Sequence, residues 1–376
     1  MTQRALTVLH LAANRWWTGS ADPVLRLASA LKARGHRVLL GVIPGDRFEV
    51  KARQAGLDLV DGLRLSARAA PIEVARDVRR LRALVRDAAV DVIHAHHSHD
   101  HWVSLLARPR ATSGRRPVIA RTFHNLRSVK RGAVARRLYA RTAAVFAVSR
   151  QIAERCRDVG IDPERVAQIP GIADLPRFAS AFDARAIRAE FQLGDAPVIV
   201  TVSRLAANRG HELLLAGFRR LLDVMPHSRL LMVGKGETRR HLEAMVTKLD
   251  LGRHVVFTGY RDRDLPEVLA AADCFALMGA GSDDSCRAAL EAMAASRPVV
   301  ARRVGALPET VAHGETGLLI DEESPESVAA ALGAVLGDRA RARAMGAAGR
   351  ARAEREFSVE RCVGIVEREY RRVTGA

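Results

Sequence analysis

The feature that most constrains the fold is an alternation of short apolar segments with longer amphipathic segments. In the first half of the chain, the short apolar segments lie at residues 5–11, 37–43, 90–94, 118–122 and 144–148. Between them, apolar side chains at helical spacing predict helices that include 23–34 and 71–88. Strands that are apolar throughout and separated by helices are typical of a parallel sheet with helices on both faces.

The same alternation begins again after a turn-rich stretch at 170–183. Short apolar segments follow at 198–202, 230–233, 255–258, 274–277 and 299–301, and predicted helices at 210–224, 238–249, 265–272 and 286–295. A chain of 376 residues is long enough for two domains of ordinary size. We therefore predict an α/β protein with two Rossmann-like, doubly wound parallel-sheet domains, 1–178 and 179–357. Ligands of such domains bind outside the carboxyl ends of the strands, so we expect the site in a cleft that the two domains face.

The chain is strongly basic, with a net charge of +18 at pH 7. This excess either predicts an anionic partner, such as nucleotide phosphates, anionic lipid or nucleic acid, or reflects only a general preference for alanine and arginine. Because the basic residues form no known motif with interleaved aromatic side chains, we expect no nucleic-acid partner.

The cysteines are scattered and form no Cys-x-x-Cys pair; they are Cys156, Cys274, Cys286 and Cys362. This spacing argues against a structural zinc site or a disulfide framework, and we expect a cytoplasmic location. No apolar segment approaches the ~18 residues of a membrane-spanning helix. Residues 1–11 fit a first buried strand better than a signal peptide.

A cluster of helix-capping residues precedes the predicted helix at 286–295; it consists of Ser282, Asp283, Asp284 and Ser285. Exposed amides at such a helix start attract an anion or a sugar hydroxyl. Glu291 lies about two turns into the helix, where it is placed to contact another part of the same ligand. Alternatively, Glu291 pairs with Arg287 as an i, i+4 surface salt bridge worth only ~0.3–0.5 kcal/mol.

Two cations flank the turn that follows the first strand of the second domain, in the segment 202–211. Arg204 and Arg209 are suitably placed there to hold phosphates. The alternative is that they are two ordinary surface arginines of an arginine-rich chain.

Together these motifs resemble those of the retaining family-4 (group 1) glycosyltransferases, which have the GT-B fold. Glu291 matches the second of two family glutamates, which holds the nucleotide ribose, and Asp283 stands at the first, which grips the donor sugar. Asp284, Ser285 and Cys286 replace the usual Gly-Phe-Gly, while Arg204 and Arg209 match the diphosphate clamp, with arginine in place of lysine. Four further segments follow the same pattern: 233–237, 257–260, 304–311 and 313–319.

The resemblance implies transfer of a sugar, with retention of configuration, from a nucleoside-diphosphate sugar to a hydroxyl acceptor, without metal or other cofactor. It assigns catalytic roles to His124, Arg204, Arg209 and Asp283. It assigns donor or nucleotide binding to Gly19, Gly234, Gly259, Asp284, Ser285, Cys286, Arg287 and Glu291. It also implies that residues 358–376 form a C-terminal helix that crosses back to the first domain.

The first domain carries the predicted acceptor side. Trp17 lies in the turn after the first strand and is a candidate sugar or acceptor platform, with plain packing as the alternative. His124 follows a strand, where related mannosyltransferases place a histidine near the reacting sugar; a buried core histidine is the alternative. His96 and His99 belong to a histidine-rich turn that lines the cleft in the family.

The histidine run at 94–101 does not match the His-x-His-x-Asp-His pattern of metallohydrolases in any register. Since a strand ending near His96 directs successive side chains to different faces, we expect no metal there. A metallohydrolase and a sugar-nucleotide epimerase on the same fold are the competing functions. Finally, the segment 127–141 is rich in basic residues. It predicts either a peripheral contact with an anionic membrane, together with a lipid-linked acceptor, or simply a solvated helix face.

Overall fold

The computed structural model describes residues 4–14, 20–65, 70–108, 116–178, 182–280 and 285–376. They form two compact units, each built on one parallel β-sheet. The first unit contains the described residues up to Ile172 together with Val359–Ala376, and the second begins at Ala173. The first unit therefore ends before the predicted boundary at 178, because Ala173 and Phe178 are buried in the core of the second unit.

The first unit contains a seven-stranded sheet in the order β3-β2-β1-β4-β5-β6-β7. Its strands are β1 (Thr7–Ala12), β2 (Arg37–Val42), β3 (Asp58–Leu59), β4 (Val92–Ala95), β5 (Val118–Phe123), β6 (Ala144–Ala147) and β7 (Val166–Gln168). Every residue of β4 and β6 is buried, as expected for strands that are covered on both faces.

The helices of this unit alternate with the strands. They are α1 (Ala21–Ala33), α2 (Arg47–Gln54), α3 (Pro71–Asp87), α4 (Ser98–Ala107), α5 (Ala133–Ala140) and α6 (Arg150–Asp158). Helix α6 begins after Ser149, whose hydroxyl accepts a hydrogen bond from the Ile152 amide at 3.3 Å. Such a cap satisfies one of the amides that a helix start leaves without a partner.

The second unit contains a six-stranded sheet in the order β10-β9-β8-β11-β12-β13. Its strands are β8 (Val198–Val202), β9 (Arg229–Val233), β10 (Val255–Gly259), β11 (Cys274–Leu277), β12 (Val299–Arg302) and β13 (Gly317–Ile320). Its helices are α7 (Arg185–Glu190), α8 (His211–Leu221), α9 (Arg239–Lys248), α10 (Leu265–Ala270), α11 (Arg287–Ala294), α12 (Leu307–Thr310), α13 (Pro325–Leu336) and α14 (Arg339–Glu356).

The last helix, α15 (Val359–Thr374), belongs to the first unit, where it contacts α1 and β6. Cys362, Val363, Val366 and Tyr370 form its buried face at helical spacing. Glu367 beside them receives hydrogen bonds from Arg34 and Arg371, each at 2.8 Å. Burial acts to raise the pKa of Glu367, but these hydrogen bonds and the one from His36 outweigh burial and lower that pKa to about 2.

In both sheets the strand order changes direction at one point, between β1 and β4 in the first unit and between β8 and β11 in the second. Ligands of open α/β sheets bind outside the carboxyl ends of the strands at such a point. Among the described residues, no helix is both long and apolar enough to cross a bilayer.

Candidate active site

In the second unit, the loop after β8 lies directly against the loop after β9. The Leu205 amide donates a hydrogen bond to the Lys235 carbonyl at 3.1 Å. A Cβ atom on Gly234 would lie 1.9 Å from the Ser203 carbonyl oxygen, and one on Gly236 would lie 2.0 Å from the Leu205 carbonyl oxygen. Only glycine allows this approach, so the two loops form one backbone unit at the strand ends.

Both predicted clamp arginines lie on the first of these loops and share an acidic neighbour on the second. Nη2 of Arg204 lies 2.9 Å from Oε2 of Glu237. The charges of Arg204 and Arg209 both contribute to lowering the pKa of Glu237, although the hydrogen bond from its own backbone amide is the largest cause. The turn therefore pairs Arg204 with Glu237 and brings the charge of Arg209 close enough to act on the same carboxylate.

A buried histidine fixes the shape of this turn. Nε2 of His211 lies 3.0 Å from the Ser203 hydroxyl and 3.2 Å from the Arg204 carbonyl oxygen. Burial lowers the pKa of His211, so the ring is neutral at pH 7. The preceding Gly210 has a φ of +71°, and a Cβ atom there would lie 2.4 Å from Cβ of Met278 after β11. The turn is thus held from β9 on one side and from β11 on the other.

The predicted donor-binding helix is α11, and it begins at Arg287. Cys286 precedes it with a φ of +54°, a left-handed conformation that favours glycine and accounts for the glycine that the family usually has there. Nε of Arg287 lies 3.4 Å from Oε1 of Glu291. The expected i, i+4 pair therefore forms, but it is not a surface pair, because Glu291 is only 3% exposed. Ser285, which lies just before the helix, is also only 3% exposed.

Two further contacts join this region to its neighbours. The Gly234 amide donates to the Gly259 carbonyl oxygen at 2.8 Å, so both predicted glycines meet at the ends of β9 and β10. A Cβ atom on Gly279, after β11, would lie 2.9 Å from Cα of Arg209. The arginine turn and the segment that leads to α11 therefore adjoin at the switch point of the second sheet.

In the first unit, three imidazoles form a hydrogen-bonded row at the ends of β1, β4 and β5; we call His10, His96 and His124 the histidine row. Nδ1 of His10 lies 3.0 Å from Nε2 of His96. Nδ1 of His96 lies 3.2 Å from Nε2 of His124. All three side chains are buried. The structure thus brings the predicted residues His96 and His124 together and adds His10.

His94 lies against this row, which corrects the expectation that strand geometry separates the histidines. His94 and His96 are two residues apart and share a face, and their ring centroids lie 4.2 Å apart. Nitrogens of His10, His94 and His96 all lie within 4.8 Å of one another, a spacing that a metal ion tolerates. Both nitrogens of His94, however, already contact hydroxyls, Tyr370 Oη at 2.5 Å and Thr122 Oγ1 at 2.7 Å. A metal ion would have to displace those contacts.

Burial keeps these rings uncharged. It lowers the pKa of His10 to about 3 and holds the pKa values of His94 and His96 well below the ordinary value. The charges of neighbouring histidines add to the shift for His94 and His96. A neutral imidazole carries one N–H donor and one acceptor nitrogen, so the cluster is a network of neutral hydrogen bonds at pH 7.

Two buried polar side chains, Asp100 and Arg121, lie near the turn after β4. Asp100 accepts hydrogen bonds from the amides of Ala13 at 3.1 Å and His97 at 3.0 Å, which ties the ends of β1 and β4 together. Burial raises the pKa of Asp100 to about 7, against these amides and the charge of Arg121. Arg121 is 1% exposed, and burial lowers its pKa to about 10, with Asp100 opposing.

The structure does not bring every predicted residue to these sites. His99 lies on α4, where burial lowers its pKa and the charge of Asp77 opposes that shift. Among the described contacts, none joins His99 to the histidine row, because one residue's step along the helix start turns it toward α3. Four other predicted residues lie outside the described part of the chain: Trp17, Gly19, Asp283 and Asp284.

The basic segment at 127–141 contains α5, and its cations are exposed: Arg127, Lys130, Arg131, Arg136, Arg137 and Arg141. The apolar face of α5 is used by the core, since Ala135, Leu138 and Tyr139 are buried. Val134 remains 63% exposed, and Trp102 and Leu106 of α4 are 41% and 51% exposed. The ring of His101 on α4 stacks on that of Tyr139 on α5, so these two helices are neighbours.

Comparison with known proteins follows the division into two units. A family described as glycosyltransferase family 4 matches residues 17–177, and one described as glycosyl transferases group 1 matches residues 183–352. The structure of Anabaena HepE in complex with UDP-glucose superposes with a TM-score of 0.82 at 21% identity, over 99% of this chain and all (100%) of that one. Two parallel-sheet domains of this type define the GT-B fold class.

Similar proteins include several that are named as glycosyltransferases. The GDP-mannose-dependent α-(1-6)-phosphatidylinositol monomannoside mannosyltransferase of Mycolicibacterium smegmatis is 41% identical over 189 residues, 48% of this chain and 49% of that relative. The D-inositol 3-phosphate glycosyltransferase of Nocardia farcinica is 30% identical over 294 residues, 72% of this chain and 64% of that relative. The match spans about half the length of the first relative. The chain belongs to the group 1, family-4-type glycosyltransferases.

Sequence reasoning missed several residues that build these sites. His10 went unnoticed because its partners lie on another strand, although His10 and His94 are direct partners in the β1–β4 register. Glu237 and His211 were present in the motifs but received no role. Glu237 could have been identified from its position. It follows two glycines at a strand end, near the two arginines that are predicted to bind phosphate.

Proposed function

We propose that this protein transfers a sugar from a nucleoside-diphosphate sugar to a hydroxyl acceptor with retention of anomeric configuration. The observation that carries the proposal is the strand-end turn that bears Arg204 and Arg209, on which Arg204 pairs with the Glu237 carboxylate and the charge of Arg209 acts on the same group. That arrangement suits a diphosphate, which brings more negative charge than one carboxylate and can replace it. The glycine contacts behind the turn keep backbone close enough for a nucleotide to approach.

In the proposed mechanism the arginines stabilise the leaving diphosphate. Negative charge grows on that group as the bond from the sugar to phosphate breaks, and pre-aimed cations are most effective where charge develops. Glu291 binds the ribose hydroxyls of the nucleotide. Asp283 and the amides at the start of α11 bind the donor sugar. Retention follows when the acceptor hydroxyl attacks from the face that the diphosphate leaves, and a diphosphate oxygen takes the acceptor proton.

The first unit provides the remaining groups. We assign His124 to the reacting sugar and His96 to its support, since the two rings are hydrogen bonded at 3.2 Å. No step requires a metal ion, because cations and helix-start amides neutralise the phosphates.

The names of the relatives narrow the donor and acceptor. One relative uses GDP-mannose, and the acceptors named for both relatives contain inositol. The structure of HepE holds UDP-glucose. We therefore propose a hexose donor on GDP or UDP and an acceptor that contains a cyclitol ring, free or lipid-linked.

A lipid-linked acceptor requires access to a membrane surface, and α4 and α5 offer suitable chemistry. Trp102 and Leu106 are exposed apolar groups, and the exposed cations of the segment 127–141 lie on the neighbouring helix α5 or in the residues beside it. Each cation near an anionic leaflet contributes ~1 kcal/mol. Sedimentation with phosphatidylglycerol vesicles, but not with phosphatidylcholine vesicles, is expected. Binding that persists in a variant with Arg136→Glu and Arg137→Glu would locate the contact elsewhere.

The central experiment combines a donor panel with product analysis. The purified protein is incubated with GDP-mannose, UDP-glucose and related donors, together with inositol, inositol phosphate and phosphatidylinositol. We expect one donor to yield a glycoside whose anomeric configuration, read by NMR, equals that of the donor. An inverted product contradicts retention. Release of free nucleoside diphosphate without any glycoside contradicts the transferase itself.

A further inference from the structure

The histidine row has one end in the interior of the first unit. His10 is fully buried, and its Nδ1 is hydrogen bonded to His96. Its other nitrogen, Nε2, has no hydrogen-bond partner among the described residues. The row therefore stops at His10, while His96 connects His10 to His124.

Two hydrogen bonds link the three rings, so the directions of these bonds are coupled. A neutral imidazole has one N–H and one acceptor nitrogen, and both nitrogens of His96 are occupied within the row. If His96 accepts from His10, it must donate to His124. If it accepts from His124, it must donate to His10. The hydrogen-bond network therefore allows only these two arrangements of the ring protons.

The buried end distinguishes between the two arrangements. When the bonds run from His124 toward His10, the proton of His10 lies on Nε2, where no described residue accepts it. When they run from His10 toward His124, only a lone pair remains at that buried position. A buried N–H donor without an acceptor is rarer in proteins than an acceptor without a donor. The same reasoning disfavours a second proton on Nε2 of His124, because that proton would reverse both bonds.

We propose that His10 and His96 are positioning residues that fix the tautomer of His124. His10 donates from Nδ1 to Nε2 of His96, and His96 donates from Nδ1 to Nε2 of His124. His124 then carries its own proton on Nδ1 and acts as a neutral hydrogen-bond donor. This assignment deepens the proposed transferase function and rests on it for its consequence in catalysis.

The consequence is that His124 does not accept the acceptor proton. As the acceptor oxygen bonds to the anomeric carbon and the bond to phosphate breaks, that proton passes to an oxygen of the leaving diphosphate. His124 instead donates its Nδ1–H to an oxygen of the reacting sugars. Charge and atoms balance without a basic side chain.

The direct test is NMR of the protein labelled with nitrogen-15 in its histidines. Long-range correlations between ring nitrogens and ring protons identify the tautomer of each imidazole, and loss of peaks in His124→Gln assigns those of His124. We expect His124 to carry its proton on Nδ1 near neutral pH. A proton on Nε2 overturns the proposal, whether or not any sugar donor is accepted. Failure of transfer with the expected tautomer overturns only the proposed function.

Two nearly isosteric variants test the consequence for catalysis. His10→Asn supplies an N–H donor near the position of Nδ1 and is expected to keep kcat within about threefold. His10→Asp, assayed at about pH 9 so that the buried carboxyl is ionised, supplies only an acceptor, which reverses the row and moves the His124 proton to Nε2. We expect kcat to fall about tenfold or more with an unchanged donor KM. Equal kcat values for the two variants, both folded by circular dichroism, contradict the proposal.

The last experiment is a metal analysis of the purified protein. The proposal expects no stoichiometric zinc, copper or nickel. A metal ion bound at one equivalent, and lost in His10→Asn, would show that the nitrogens are ligands and would overturn the tautomer assignment.

Discussion

Nη2 of Arg204 lies 2.9 Å from Oε2 of Glu237, and the two side chains are 65% and 59% exposed. An exposed pair of this type contributes little to stability, because solvent screens both charges. Glu237 therefore orients Arg204 in the absence of substrate without holding it strongly. A diphosphate can replace the carboxylate at little cost, which is what a clamp at a strand end requires.

Arg204→Ala is expected to lower kcat at saturating donor by roughly two orders of magnitude, because it removes a cation aimed at the leaving group. Steady-state kinetics measures the change. Arg219→Ala is the matched control, since Arg219 is also an exposed arginine of this unit paired with a carboxylate, Asp223, at 2.8 Å. A kcat that is equal in the two variants contradicts the clamp assignment.

Glu291→Ala is expected to weaken binding of the nucleoside diphosphate by about 1.5–3 kcal/mol, the range for hydrogen bonds to a charged group. Isothermal titration with GDP and UDP measures the loss. Because Glu291 also pairs with Arg287, a melting curve must accompany the titration. Glu243→Ala removes the exposed partner of Arg239 and is the control. Wild-type affinity in a folded Glu291→Ala variant would refute the ribose role.

The predicted strands were right wherever a strand is covered on both faces. All ten apolar segments correspond to observed strands, and 198–202 and 274–277 match β8 and β11 residue for residue. The three missed strands, β3, β7 and β13, all lie at sheet edges. An edge strand pairs on one side only and does not need a continuous apolar sequence, as the half-exposed β7 illustrates. Periodicity carries too little information to find β3 and β7, which are short and only partly buried.

The site was predictable where a motif is local and unpredictable where it depends on register. Arg204 and Arg209 lie five residues apart in the sequence, so one strand-end turn contains both. His10 and His96 are 86 positions apart and meet only because β1 pairs with β4. A sequence alone does not fix which strands are neighbours, so the histidine row could not be assembled before the sheet order was known.

Gly234→Ala is expected to separate the two loops that form the clamp. The added Cβ atom would lie 1.9 Å from the Ser203 carbonyl oxygen, and a φ of +148° is one that only glycine adopts readily. Backbone must move, at a cost of about 1–3 kcal/mol. Urea unfolding and donor KM should both change. Gly252→Ala is the control, because a Cβ atom there meets nothing within 4 Å. Similar unfolding midpoints for the two variants would contradict the close approach.

The buried titratable groups of the first unit predict how its stability depends on pH. His10, His94, His96, His97 and His101 have pKa values lowered by burial, to about 3 for His10 and His97. An unfolded histidine has a pKa near 6.5, so below that pH the unfolded chain binds protons that the folded chain does not. Their contribution to stability is complete above about pH 6.5 and is lost as the pH falls. Asp100 has the opposite effect on stability. Its pKa is about 7 in the folded protein and 3.8 in the unfolded chain, so between these values the folded protein binds a proton that the unfolded chain does not.

Five histidines outweigh one aspartate, so the first unit should lose on the order of 5 kcal/mol between pH 7 and pH 5.5. Urea unfolding followed by tryptophan fluorescence measures this unit, because every tryptophan of the chain, Trp16, Trp17 and Trp102, precedes residue 172. Asp100→Asn keeps an oxygen for the amides of Ala13 and His97 but removes the opposing titration. The variant should therefore lose about 1–2 kcal/mol more than the wild type over the same interval. An equal loss in the wild type and in Asp100→Asn would mean that Asp100 stays ionised in the folded protein down to pH 5.5.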